Sequence, residues 1–155
     1  MRNKLRRALI AAALAIAFVV PGALVVKAQV KRPYRNGSVW QVNFIRMKPG
    51  METAYLSYVT NDWKREQEAS KKAGYSLSYK VLQTEAHNAG DFNLILMTEY
   101  KDLATLEAND AKTDALLQSV VGDDEKQRQG YKERLEIREV LAQRLAREIV
   151  LEPRP

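Results

Sequence analysis

The chain has 155 residues, one histidine, no cysteine and a formal net charge of +6. The missing thiols exclude disulfides and thiolate chemistry, and one histidine excludes a multi-histidine metal cluster within a single chain. The charge is unevenly placed: of 25 basic residues, Arg2, Lys4, Arg6, Arg7 and Lys27 fall in residues 1–28, which hold no acid, leaving 20 basic against 19 acidic residues. A nucleic-acid partner is therefore not expected, since the basic balance does not belong to the remaining chain.

Residues 8–26 form an apolar run behind the basic start, with Pro21-Gly22 late in it and Val26-Lys27-Ala28 at its end. A charged start, an apolar middle and small residues before a cut after Ala28 match a secretory signal peptide. The expectation is an exported protein, periplasmic or secreted, whose mature chain forms one domain. If the run from Ala8 to Val26 were retained, it would just span a bilayer and tether the domain to a membrane. No cysteine follows the run to carry a lipid.

Residues 29–37, polar and basic with Pro33 and Gly37, are expected as a flexible lead-in. Residues 39–46 alternate as a strand, with Trp40, Val42 and Phe44 on one face and Gln41, Asn43 and Ile45 on the other. Lys48-Pro49-Gly50 ends it. Residues 51–73 predict a long helix closed by Gly74. Its apolar face carries Tyr55, Val59, Trp63, Ala69 and Ala73, and Asp62 and Glu66 sit on or beside that face. Residues 75–83 predict a second strand, residues 84–91 a hairpin loop, and residues 92–100 a third and most apolar strand. Asp102 is placed to cap a second helix that runs to about residue 121, before Gly122. Leu103, Leu106, Thr113, Leu117 and Val120 form its buried stripe. The charged residues 123–132 are expected as a loop or short helix. Residues 134–151 read two ways. Their Arg, Glu, Leu, Ala and Gln content favours a helix. Alternation instead puts Ile137, Leu141, Leu145, Ile149 and Leu151 on one strand face.

With the last segment as a strand, the order becomes βαββαβ, an α+β, ferredoxin-like split βαβ arrangement. It forms a four-stranded antiparallel sheet with both helices on one face. The other face is then free, and pairing it with the same face of a second copy would cover it by twofold symmetry. Several features carry a resemblance to a known family: the first strand leading into Lys48-Pro49-Gly50, the helix with Tyr55 and Trp63, Ala73-Gly74 before Tyr75-Ser76-Leu77-Ser78-Tyr79, and the terminal Arg138-Glu139-Val140 and Leu145-Ala146-Arg147-Glu148. On these the chain resembles the dimeric α/β-barrel superfamily of ferredoxin-like domains over residues 38–152. The resemblance implies a final strand and a homodimer through the sheet faces. It implies no single chemistry, because the superfamily includes cofactor-independent monooxygenases, haem-handling enzymes, isomerase-like enzymes and members without an assigned activity.

The resemblance implies a pocket between sheet and helices. Tyr55, Trp63, Glu66, Asn43 and Tyr79 are the candidate ligand-binding residues. Glu66, with Asp62 four residues before it, would have a raised pKa if buried and could act as a general base; otherwise the two are solvated or paired with a nearby arginine. Tyr55, Tyr58, Trp63 and Tyr79 line an apolar pocket or simply form core. Arg138, Arg144 and Arg147 hold an anionic ligand or pair with Glu139 and Glu148. Haem-handling relatives use His, Asn and Trp; Asn43, Trp63 and His87 are of those types, but His87 falls in the hairpin loop, so no catalytic residue is carried over. Neither a cofactor nor a metal is expected. Three functions stay open: binding of a small apolar or aromatic molecule, a cofactor-independent monooxygenase-like or isomerase-like activity, and a structural interaction domain without a ligand.

Overall fold

The alternation around Trp40 belongs to a longer strand than the apolar pattern alone predicts. In the computed structural model, which describes residues 32–152, β1 spans Tyr34–Met47. Residues 1–28, read as the signal segment, and residues 29–31 of the lead-in lie outside the described residues. The rest of the lead-in is not free chain: Tyr34, Arg35 and Asn36 pair with Leu151, Val150 and Ile149. Gly37 sits in a register shift there. A Cβ on it would fall 2.6 Å from the Glu148 carboxylate and 2.9 Å from the Glu148 Cβ, so glycine makes room for that side chain against β1.

Helix α1, residues 52–72, runs through three consecutive segments, Glu52–Tyr58, a π-helical turn Val59–Trp63, and Lys64–Lys72. The Lys64 amide reaches back five residues to the Val59 carbonyl. This wider turn keeps residues spaced by four in line, so Tyr55, Val59 and Trp63 all bury on one face. Tyr58, Asp62 and Glu66 form a second stripe beside it. Gly74, at φ +75°, ends the helix in the left-handed region that glycine favours.

Strands β2 (Ser78–Gln83) and β3 (Leu94–Tyr100) follow. Asp102 then caps helix α2 (Leu103–Ala108), its carboxylate accepting from the Thr105 amide at 2.7 Å. The predicted second helix breaks at Asn109 and resumes as α3 (Asp110–Val121). The charged stretch after it is a 14-residue helix, α4 (Asp124–Ile137), capped by Asp123. The chain then turns straight into β4 (Arg138–Leu151).

The ambiguous last segment is therefore helix through Ile137 and strand beyond it. Helical propensity in β4 yields to pairing with β1 along its whole length. The expected single apolar stripe does not survive intact. Ile137 ends α4, and Leu141 is the extra residue at a register shift between Ala142, opposite Phe44, and Val140, opposite Ile45.

The sheet order is β2-β3-β1-β4, with every neighbouring pair antiparallel. The fold is ferredoxin-like, as the βαββαβ reading requires, with α4 added before the last strand. Ile45, Met47, Leu94 and Leu96 face the helices and meet Tyr55, Val59 and Trp63 in the core. Thr98 donates to Gln67 at 2.8 Å and Tyr79 to Glu68 at 2.6 Å, fastening α1 to the sheet. Register places Trp40, Val42, Phe44, Ile95 and Met97 on the opposite face. Leu94 is fully buried at the centre of the core, so Leu94→Ala should cost about 3 kcal/mol. Urea midpoints would measure this; a loss below about 1 kcal/mol would place the core elsewhere.

Candidate functional site

The second stripe of α1 meets α4 across a cleft. Its larger lobe, about 1040 Å³, lies between Tyr58, Asp62 and Glu66 of α1 and Gly130, Glu133 and Arg134 of α4. A smaller lobe of about 470 Å³ extends toward α3, where Leu117 and Val121 give it an apolar wall beside Tyr131. Glu66, Val121, Lys126, Gly130 and Arg134 border both lobes, which places the two side by side.

Two arginines lie at and behind its floor. The Arg134 guanidinium stacks over the Tyr58 ring at 4.6 Å. Arg138 is 7% exposed and lies 5.7 Å from the Tyr55 ring and 5.5 Å from that of Tyr131. Tyr55 and Tyr58 stack on each other at 5.7 Å. The end of α4 and the start of β4 place these arginines four residues apart. Register also puts Arg138 opposite Met47, on the helix-facing side of the sheet. Neither arginine pairs with a carboxylate among the described residues, and Arg134 Nε, Arg138 Nε and Arg138 Nη1 are buried without a hydrogen-bond partner.

Burial also shapes the acids of the cleft. The Tyr58 hydroxyl is pushed up to about 12, first by burial and then by the Glu66 charge, with Arg134 opposing. The Tyr55 pKa is raised by burial against the pull of the Arg138 and Arg134 charges and a hydrogen bond from Arg138. Burial raises Glu66 as well; the Asp62 charge adds to this, while Arg134 and Arg65 oppose it. Asp62 itself is half exposed and pairs with Arg65 at 3.0 Å. The floor thus presents cationic guanidiniums and phenols beside one carboxyl whose ionisation burial opposes. Such a site can bind an anion.

Of the five candidate ligand-binding residues from the sequence, Glu66 alone lines the cleft, where Tyr58 and Asp62, also weighed in the sequence, join it. Tyr55 is 1% exposed and supports the floor from the core. Trp63 is buried edge-on against Tyr79 at 5.5 Å, and both belong to the packing between α1 and the sheet. Asn43 lies in the sheet between Leu96 and Gln143, away from the lining. The terminal arginines divide. Arg138 is buried by the cleft, while Arg144 and Arg147 are exposed along β4. Glu139 pairs with Arg46, and Glu148 accepts from Ser38, so neither pairs with the arginines of its own strand. His87 is an exposed loop residue whose amide donates to Asp91 at 3.3 Å. Among the described residues no group of three His, Cys, Asp or Glu side chains could hold a metal ion.

Tyr131 and Arg134 were not among the sequence candidates. A helix through residues 124–137 would have put Tyr131, Arg134 and Arg138 on one side by their three- and four-residue spacing.

No family model and no curated protein matches the chain. Solved structures similar to it include these two. HapK from Hahella chejuensis shares 12% identity over 71% of this chain and 91% of its own, with a TM-score of 0.46. A dimeric ferredoxin-like protein from an uncultured marine organism shares 19% identity over 77% of this chain and 98% of its own, with a TM-score of 0.39.

The Glu66 environment gives a signed prediction. Its folded pKa is raised above the ordinary 4.5, so its ionisation opposes folding. That penalty is absent below the unfolded value and grows as pH rises through the folded one. Glu66→Gln should therefore match the wild type in urea midpoint near pH 4 and exceed it at pH 7. A difference independent of pH would contradict the buried carboxyl.

Proposed function

We propose that the protein binds a small molecule in the cleft between α1 and α4. The observation that carries this reading is the half-buried Arg134 at the floor of the cleft and the buried Arg138 behind it, with three guanidinium nitrogens between them buried without a hydrogen-bond partner. Burying such groups without partners costs stability, and a purely structural domain gains nothing from them. The volume of the smaller lobe, about 470 Å³, falls in the range of small-molecule sites. Glu66 favours a second reading, a cofactor-independent enzyme, since a carboxyl with a raised pKa in a cleft is suited to proton transfer.

The export reading of residues 1–28 belongs to the same proposal: a binding protein working outside the cytoplasm, where a chain without cysteines depends on packing alone. Placement in the dimeric α/β-barrel superfamily belongs to it too. The apolar sheet face built from Trp40, Val42, Phe44, Ile95 and Met97 is the surface that a second copy would cover. None of the described helices is long and apolar enough to cross a membrane.

Two measurements test this. Native mass spectrometry of the full chain, purified from the exported fraction of a producing cell, should show a mass above the polypeptide that Arg134→Gln abolishes. Polypeptide mass alone in every preparation would count against a bound small molecule. Light scattering at micromolar concentration should give a dimer, and Met97→Glu, at the centre of the sheet face, should give a folded monomer. A monomeric wild type would remove the sheet-mediated dimer.

A further inference from the structure

We infer that the ligand of this cleft carries a carboxylate on a flat apolar body, and that Arg134 binds the carboxylate with the charge of Arg138 behind it. The inference rests on the binding reading above and names the class of molecule bound.

A guanidinium has two kinds of surface. Its flat face stacks on aromatic rings, while its edge carries N–H donors in a fork that matches a carboxylate. Here the faces are used and the edges only in part: Arg138 reaches the Tyr55 hydroxyl. Tyr58 takes the face of Arg134, and Tyr55 and Tyr131 flank Arg138. Three edge nitrogens remain buried and unpartnered. Stacking therefore accounts for the orientation of both groups but not for their donors, and buried donors cost stability until an acceptor arrives.

The helix itself makes room for this arrangement. Gly130 lies inside α4, where glycine is less favourable than alanine by about 0.5–1 kcal/mol. A Cβ at this position would come within 3.1 Å of Arg134 Nη1. Glycine thus lets the guanidinium lie along the helix surface.

The charge balance of the two lobes points the same way. Around the smaller lobe Lys126, Lys132 and Arg134 face a single acid, Glu66. Arg128 is there too, already paired with Glu125 at 2.5 Å. The acids Asp62, Asp123, Glu125 and Glu133 gather on the larger lobe. An anion is thus drawn to the smaller lobe, whose other wall is Leu117, Val121 and the Tyr131 ring. Apolar wall and cationic floor together fit an aromatic or similarly flat carboxylate better than a bare inorganic anion, which would leave that wall wet.

Benzoate and its neutral counterpart benzyl alcohol are the test pair, titrated into the full chain by calorimetry at fixed ionic strength, with thermal unfolding in parallel. Benzoate should bind at least about tenfold more tightly than benzyl alcohol, because hydrogen bonds to charged groups are the stronger ones. Arg134→Gln should remove that preference while keeping the unliganded unfolding transition cooperative; Arg138→Lys, which keeps charge but loses the fork, should weaken benzoate less than Arg134→Gln does. Equal binding of both compounds, unaffected by Arg134→Gln, would overturn the carboxylate inference and leave a small-molecule cleft standing. Failure of both compounds to bind or to raise the unfolding temperature would also overturn it. If preparations carried no retained ligand either, the binding reading would fall with it.

Discussion

The pairing of β4 with β1 is the constraint on which the rest of the structure depends. Residues 138–148 are good helix formers, yet they lie extended because β1 offers a partner along nearly its whole length. That choice ends α4 at Ile137, where the Lys48 amide bonds to the last helical carbonyl at 3.0 Å. It also sets Arg138 opposite Met47, facing the helices rather than solvent. Had the helix continued, Arg138 would have stayed on its surface and the cation behind the cleft floor would have been lost.

The π-turn in α1 supplies the opposing wall. A uniform α-helix would rotate residues spaced by four steadily around its axis. The wider turn at Val59–Trp63 holds two stripes straight through the middle of the helix. One stripe builds the core with Tyr55, Val59 and Trp63. The other brings Tyr58 under Arg134 and carries Asp62 and Glu66 along the cleft. A single backbone irregularity thus serves packing and site together, as such turns often do.

The legible part of this architecture was the part written in local periodicity. The strand face of Trp40, Val42 and Phe44, the long helix ending at Gly74 and the Asp102 cap all follow from alternation, helical spacing and capping chemistry. The lead-in was misread because Tyr34–Gly37 has no apolar alternation of its own; its strand conformation comes from the far end of β4. Trp63 and Tyr79 looked like pocket residues because aromatic residues suit pockets and cores equally, and only the three-dimensional neighbours separate the two uses. Glu66 was found because a carboxylate beside an apolar stripe is anomalous in any setting. Tyr131 and Arg134 were missed because the charged run around them has little apolar stripe, which hides the helix that aligns them.

The central claim is that Arg134, stacked on Tyr58 at the floor of the cleft, takes a carboxylate there with the charge of Arg138 behind it. Arginine Nε–H correlation spectra, recorded as benzoate is added, test it most directly. The signal of Arg134 should shift and saturate, while those of Arg65 and Arg128, already paired with Asp62 and Glu125, should stay in place. All three signals moving alike, or none moving, would contradict the account.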